Sequence, residues 1–354
     1  MSLPYLHPYL GLSNGLNTLH AAGGGAGGIG GWVELGRTTL GGLSDTISVG
    51  SINDKRYYMI LNSIIPSGAV NNVWQWNSDT GSNYAYRYSN NGAADGTSTS
   101  ASHMFGSAIT DSTPYFGVSY IANRSTNEKL GIAHYVQQST AGAAYAPNRQ
   151  EIVGKWANTS NAISSLDVKN SSGSADYASG SEVVVLGWDP ADTHTNNFWE
   201  ELYSGTATSG QILDTGNFSG KKYLWIQAIV KGTGNSTSFM RFNSDSGSNY
   251  STRYSNNGSA DGTYTSLTSG FEWITSSTPN PAFFNMFIIN NASNEKLAIH
   301  HCVHNNTSGS SNAPLRFETT QKWANTSNQI TSIQLDRGST GAHTNTILKV
   351  WGAD

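Results

Sequence analysis

Four acidic positions occur in both halves of the chain, and recurring acids are the first candidates for chemistry. As equivalent pairs they are Asp79/Asp245, Asp95/Asp261, Glu128/Glu295 and Glu151/Glu318. Two neighbouring carboxylates could hydrolyse a glycosidic bond, and their separation would decide the mechanism. Each of these acids, however, falls in a turn signal or at the end of a strand pattern, where capping a turn or fixing a loop explains it. We therefore expect no catalytic residues and no enzymatic activity.

Histidine and cysteine side chains form the second candidate group. His300, Cys302 and His304 share one face of a predicted strand, an arrangement that could bind a soft metal ion. The first half has neither histidine nor cysteine at the equivalent positions, so we interpret the three as polar side chains on an outer strand face. We expect no metal site and no cofactor.

Two further histidines, His134 and His301, occupy equivalent positions on apolar strand faces. We interpret them as inward-facing or interface residues. If they meet across a subunit axis, assembly would depend on pH at about pH 6.

A loop ending at Asn83 offers an alternative metal chemistry, because Asn77, Asp79, Gly81 and Asn83 follow the alternate-residue spacing of a calcium loop. The loop has a single carboxylate and lacks the glutamate that closes an EF-hand. The sequence therefore favours turn chemistry over calcium binding here.

The elements that carry these residues are duplicated. Asn77–Thr97 returns as Asn243–Thr263, 166 residues later, with four of its 21 positions changed. The phrase KWANTSN at Lys155–Asn161 returns unchanged at Lys322–Asn328, 167 residues later, and NEKL also recurs. A period this long is a whole domain rather than a solenoid repeat of roughly 20–50 residues. The sequence therefore predicts two tandem copies of one domain.

Each copy of the longest repeated phrase predicts a β-hairpin. Tyr84, Tyr86 and Tyr88 alternate with smaller or polar residues, which is the period of a strand. Asn91-Gly92 follows at once and favours a tight turn, since both residues tolerate positive φ.

The whole chain predicts an all-β fold: two tandem duplicated β-sandwich domains of jelly-roll-like type, preceded by an extended N-terminal arm. About eight short strand patterns per copy are separated by Gly, Asn, Ser and Pro clusters, with no helical period. The predicted segments are an arm and tether at 1–31, domain 1 at 32–189, a linker at 190–197 and domain 2 at 198–354. Strands such as Arg56–Ile65 are apolar on both faces, so the second face needs a loop or a neighbouring chain to cover it.

The first 31 residues read as an apolar tip on a glycine tether, Gly23–Gly31. A disordered tail is one interpretation. The other, which we favour, is an arm that binds a partner through its apolar side chains. These are Leu3, Tyr5, Leu6, Tyr9 and Leu10.

The composition limits the partners. Charged residues make up 12% of the 354-residue chain and its net charge is −4, so no basic surface for nucleic acid is expected. No apolar run approaches the roughly 20 residues of a membrane span. Cys302 is the single cysteine, which excludes an intrachain disulfide framework.

The phrases RYSNNG-ADGT (residues 87–97 and 253–263) and KWANTSN, on an arm-plus-tandem-sandwich plan, resemble virion structural proteins of tailed phages: fibre, spike and head-decoration subunits. The resemblance implies a homo-oligomer, with a trimer favoured. It also implies attachment to other virion proteins through residues 1–31, assembly in the host cytoplasm and exposure on the particle surface.

Two alternatives remain from the sequence. One is a receptor- or glycan-binding adhesin that uses exposed Trp74, Trp76 and Trp273. The other is a polysaccharide-acting enzyme.

Overall fold

The computed structural model describes residues 31–108, 112–173, 175–192, 197–233, 236–276, 281–305, 308–338 and 341–354. For residues 105–108, 236–237 and 271–276 it describes the backbone alone. The five apolar arm residues, Leu3, Tyr5, Leu6, Tyr9 and Leu10, lie outside these ranges. Every regular element within the ranges is a β-strand, which confirms the all-β class. The described residues include no helix that could span a membrane.

Residues 33–188 contain twelve strands within the described ranges. They are β1 (Val33–Thr39), β2 (Thr46–Val49), β3 (Tyr57–Ile64), β4 (Asn71–Trp76), β5 (Tyr84–Asn90), β6 (Gly96–Ala101), β7 (Met104–Ala108), β8 (Tyr115–Ala122), β9 (Lys129–Gln137), β10 (Asn148–Trp156), β11 (Leu166–Asn170) and β12 (Glu182–Trp188).

Residues 200–353 contain twelve more. They are β13 (Glu200–Ala207), β14 (Ile212–Asp214), β15 (Tyr223–Val230), β16 (Ser236–Phe242), β17 (Tyr250–Asn256), β18 (Gly262–Leu267), β19 (Phe271–Ser276), β20 (Ala282–Ile289), β21 (Lys296–His304), β22 (Leu315–Trp323), β23 (Ile333–Asp336) and β24 (Thr346–Ala353).

The strands form two sandwiches of identical plan, which we call domain 1 (β1–β12) and domain 2 (β13–β24). In domain 1 a large sheet has the order β1-β12-β3-β8-β9-β10-β5-β6, and a small sheet has the order β2-β11-β4-β7. Domain 2 repeats both orders strand for strand, as β13-β24-β15-β20-β21-β22-β17-β18 and β14-β23-β16-β19. The predicted pair of tandem jelly-roll-like β-sandwiches is confirmed.

The strand number exceeds the predicted eight, and β6 shows why one of the additional strands carries no signal in the sequence. β6 has the sequence GTSTSA and lies at the edge of the large sheet, where half of its residues are exposed. A polar edge strand is held by backbone pairing with its neighbour, so its sequence shows little of the period-two pattern.

The predicted hairpin is confirmed in both domains. β5 pairs with β6, and β17 pairs with β18, in antiparallel register. Asn91 and Gly92 both have positive φ, at 51° and 71°, and the equivalent Asn257 and Gly258 adopt 52° and 74°. These are the values that a two-residue turn of type I′ requires.

The three repeated phrases meet in space within each domain. Trp156 Nε1, from KWANTSN, donates to Asp79 Oδ2 of the hairpin phrase at 2.7 Å, and its ring stacks on Tyr84. Lys129, from NEKL, is buried against the same indole and donates to Asn158 O at 2.7 Å. Domain 2 repeats the central contact, with Trp323 Nε1 to Asp245 Oδ2 at 2.7 Å. The strongest sequence repeats are therefore structural.

The Asp79 loop shows turn chemistry, as expected. Its carboxylate accepts hydrogen bonds from Gly81 N and Asn83 Nδ2 as well as from Trp156. Burial opposes the charged form, but these hydrogen bonds outweigh it and lower the pKa of Asp79. The carboxylate thus has its partners within the protein.

Each large sheet is buried on its inner face and over part of its outer face. The inner face meets the small sheet, with Tyr58 and Ile60 packing against Trp74 and Trp76. The outer faces of the two large sheets pack on each other in an interdomain core. Its members are Met59, Leu61, Phe116, Val118, Val136, Val184, Leu186, Trp199, Tyr223, Trp225, Phe287, Ile289, Leu297, Ile299, Trp351 and Ala353. The expected cover, a loop or a neighbouring chain, is here the other half of the same chain.

We predict that Trp156→Phe lowers the free energy of unfolding by about 2 kcal/mol, because Asp79 loses a buried donor while the stacked ring is retained. Denaturant titration of Trp156→Phe, Asp79→Asn and the double variant measures this. The loss in the double variant should be smaller than the sum of the two single losses, since the two side chains share one hydrogen bond. Fully additive losses, or a Trp156→Phe loss below about 0.5 kcal/mol, would contradict the assignment.

Candidate functional site

Two of the three tryptophans proposed for glycan binding do not lie on the surface. Trp74 and Trp76 are completely buried between the two sheets of domain 1, where their rings meet edge to face at 5.8 Å. Both side chains point inward because they occupy alternate positions of β4, whose inner face forms the core. The prediction for these two residues is wrong. The side chain of Trp273 lies outside the described residues.

An open groove does lie on the outer face of the large sheet of domain 1. Its volume is about 870 Å³, and its floor is formed by the aliphatic side chains of Leu130, Ile132 and Val153. Aromatic residues also line it, and Arg87 and Lys155 contribute the charges. The aromatic residues with side chains outside the inner core are Trp32, Tyr57, Tyr120 and Trp188. Such an apolar concavity fits a partner rather than water.

The same face of domain 2 is covered. Leu130 and Ile132 are 57% and 52% exposed, whereas their equivalents Leu297 and Ile299 are 1% and 4% exposed. Domain 1 provides the cover, since Leu297 and Ile299 belong to the interdomain core. The groove is therefore the exposed equivalent of a surface of domain 2 that is buried in the interdomain core.

The surface of domain 1 that covers Leu297 and Ile299 also has an exposed equivalent, which lies in domain 2. Phe116 and Val136 are buried in the interdomain core, while the equivalent Phe283 and Val303 of domain 2 are both 43% exposed. They line a cavity of about 400 Å³ together with Ile229, Pro281 and Pro314. We call this the domain 2 apolar face. Each domain thus buries one end of its large sheet and exposes the other.

A loop of domain 1, residues 138–147, holds the two domains together through its backbone. The carbonyl oxygens of Gln138 and Thr140 accept from the buried Lys322 ammonium, at 3.2 and 2.5 Å. Further along, the Pro147 carbonyl accepts from Arg253 Nε at 2.8 Å. Glu295 completes the contact, because it pairs with Lys322 at 3.4 Å and accepts from Gly142 N.

Arg149 forms the central ion pair between the domains. Its guanidinium is nearly fully buried and donates to Asp261 at 2.7 Å, to Glu318 at 3.4 Å and to Glu151. Asp261 is itself buried, whereas its equivalent Asp95 is exposed and pairs with Arg87 at 3.3 Å. These acids therefore fix loops in place, as the sequence predicts, and Asp261 and Glu318 also hold the domains together, which the sequence did not predict.

His134 and His301 meet across the domain interface, with ring centroids 4.3 Å apart. The prediction of interface histidines is right in position, but the interface joins two halves of one chain. Burial, together with the neighbouring His301 and Arg149, lowers the pKa of His134 to about 3. Burial also lowers the pKa of His301. The expected dependence of assembly on pH at about pH 6 is therefore not supported.

Glu151 and Glu318 lie beside the two imidazoles. Burial raises the pKa of Glu151 to about 7 despite the nearby charge of Arg149, and a hydrogen bond with Glu318 acts in the same direction as burial. Two carboxyl groups in contact favour holding one proton between them.

His300, Cys302 and His304 face the interior of domain 2, not an outer strand face as predicted. All three are buried, and Cys302 is part of the domain core. Burial raises the pKa of the Cys302 thiol to about 12, which keeps it protonated and unreactive. The error came from assigning the polar residues outward, although His301 and Val303 occupy the outer face.

Comparison with known proteins gives no family. No protein-family model matches the chain, and no curated protein does. Among solved structures, the mouse laminin alpha1 chain, domains LG4-5, is similar at 9% identity over 93% of this chain and 91% of that one, with a TM-score of 0.22. The LG1-3 region of the laminin alpha2 chain is similar at 8% identity over 87% of this chain and 64% of that one, also with a TM-score of 0.22.

Proposed function

We propose that the chain is a virion structural subunit of the fibre, spike or decoration kind, which acts by binding and not by catalysis. One observation carries the proposal. Each domain leaves exposed the part of its large sheet whose equivalent in the other domain is buried in the interdomain core. The sequence resemblance to phage virion proteins, the low charge and the predicted arm agree with this role.

The occupant that we assign to the groove is the domain 2 apolar face of a second copy. Within one chain, the surface around Phe116 and Val136 covers Leu297 and Ile299. A second copy exposes Phe283 and Val303, which are the equivalents of Phe116 and Val136. The groove exposes Leu130 and Ile132, which are the equivalents of Leu297 and Ile299. The internal contact therefore serves as a template for the contact between chains.

A contact of this kind is heterologous, because it joins two different surfaces. Such contacts produce a closed ring when the rotation between subunits closes, and a filament when it does not. The trimer that the phage resemblance implies would be the closed form.

A glycan is the alternative occupant, and the chemistry of the groove favours it less. Sugar hydroxyl groups need polar partners when water is removed. The floor of the groove is aliphatic, and its charges are those of Arg87 and Lys155. The rings of Tyr57 and Trp188, whose centroids are 5.6 Å apart, are the feature that a sugar could use.

The proposed anchor to other virion proteins is the arm, residues 1–31. The apolar residues Leu3, Tyr5, Leu6, Tyr9 and Leu10 are followed by a glycine-rich tether that leads to Trp32 at the groove. About twenty extended residues can span roughly 70 Å, so the tip can reach a separate protein.

We predict that Ile132→Glu and Val303→Glu each reduce the oligomer to a monomer, because each places a charge in one half of the proposed contact. Light scattering after size exclusion measures the mass. An equimolar mixture should give a heterodimer and nothing larger, since one intact groove then meets one intact domain 2 apolar face.

Ile212→Glu is the matched control, because Ile212 is 50% exposed against 52% for Ile132 but belongs to the small sheet. It should leave the mass unchanged. A monomeric wild type, or an Ile132→Glu variant of wild-type mass, would overturn the assignment of the second copy. Glycan binding by a monomeric wild type that Ile132→Glu abolishes would establish the adhesin alternative.

We predict that deletion of residues 1–31 leaves the circular dichroism spectrum and the thermal midpoint of the body unchanged but prevents incorporation into particles. Density-gradient sedimentation of particles assembled with the truncated chain measures this. Leu6→Asp with Leu10→Asp should reproduce the loss without the deletion. Normal incorporation of either variant would contradict an anchoring role for the arm.

A further inference from the structure

Three side chains at the interface between the domains, in the described part of the chain, are placed so that they could bind one metal ion together. His134, Glu151 and His301 each offer one ligand atom, and these atoms lie within 4.8 Å of one another. Two ligands come from domain 1 and one from domain 2. The cluster has no role in the groove or in the arm, so it calls for a separate explanation.

The imidazoles have the protonation state that a metal ion needs. Burial lowers the pKa of both, in His134 to about 3, and so favours the neutral form. Nδ1 of His134 is buried and has no hydrogen-bond partner. A buried nitrogen without a partner is unfavourable by about 1–3 kcal/mol, which coordination to an ion would remove.

The charges around the cluster are balanced. Arg149 donates to Glu151, Glu318 and Asp261. Arg316, which is largely exposed, lies 3.5 Å from Glu318, and Arg253 also faces Asp261. Despite these arginines, the carboxyl groups of Glu151 and Glu318 lie in hydrogen-bond contact with each other. A divalent ion beside Glu151 would relieve the repulsion between the carboxylates.

We propose that His134, Glu151 and His301 bind a divalent transition-metal ion of the zinc type, with Glu318 as the fourth ligand or as a hydrogen-bond acceptor beside it. Two imidazole nitrogens with carboxylate oxygens suit zinc, cobalt or nickel, whereas calcium and magnesium prefer oxygen alone. Bonds of about 2.1 Å in a tetrahedron place ligand atoms about 3.4 Å apart, so modest side-chain adjustment brings the three into range.

A metal at this place would act as a clamp, because its ligands come from both domains. Binding to the folded chain alone stabilises the folded state by mass action. This departs from the expectation of no metal, which considered each half of the chain by itself. The inference does not depend on the proposed function.

The test is a cobalt and zinc titration of EDTA-treated full-length protein. Cobalt should give the visible absorption of a tetrahedral ion, saturating at one ion per chain, and calorimetry should give one zinc site. Zinc should raise the thermal midpoint at about pH 8, since it binds the folded chain alone.

Glu151→Gln and His301→Gln should each weaken zinc binding at least about 100-fold, since each removes a direct ligand. His103→Gln, a histidine outside the cluster, should bind as the wild type does. If His301→Gln fails to fold, the nearly isosteric Glu151→Gln decides the question. The proposal is overturned by a wild type that shows no zinc response, or by an unaltered response in Glu151→Gln.

Discussion

The structure depends on the burial of two large sheets against each other. A strand such as β3 has Tyr58 and Ile60 on one face and Met59 and Leu61 on the other, and both faces need removal from water. The small sheet covers one face, and the partner domain covers much of the other. Truncating a single buried aromatic side chain in such an interface typically destabilises a protein by about 3–5 kcal/mol. The two domains are therefore expected to be stable as a unit.

Duplication with unequal burial gives nearly identical sequences different roles. Asp95 is an exposed partner of Arg87, while its equivalent Asp261 is buried against Arg149 of the other domain. In the same way Ile132 lines a groove and Ile299 fills a core. A heterologous contact between the two domains leaves one surface of each domain exposed, namely the groove and the domain 2 apolar face. The proposed function is assigned to these two surfaces.

The sequence was sufficient for the parts of the fold that depend on local pattern. The repeat offset, the Asn91-Gly92 turn and the alternating aromatic residues of β5 predicted the duplicated sandwich and its hairpin. The sequence also placed His134 and His301 at an interface. Residues that pack between strands far apart in sequence were harder to place. The local sequence around Trp74 and Trp76 does not distinguish a core position from an exposed binding surface. The sequence could not reveal the groove, because Leu130 and Ile132 are exposed while the equivalent Leu297 and Ile299 are buried. That difference depends on how the domains pack.

The central claim, that the two sandwiches form one cooperative body through their large sheets, is tested most directly by scanning calorimetry of the full-length chain at low concentration. The account predicts one transition with a ratio of calorimetric to van't Hoff enthalpy near 1. Two resolved transitions, or a ratio near 2, would mean that the domains unfold independently and would contradict it.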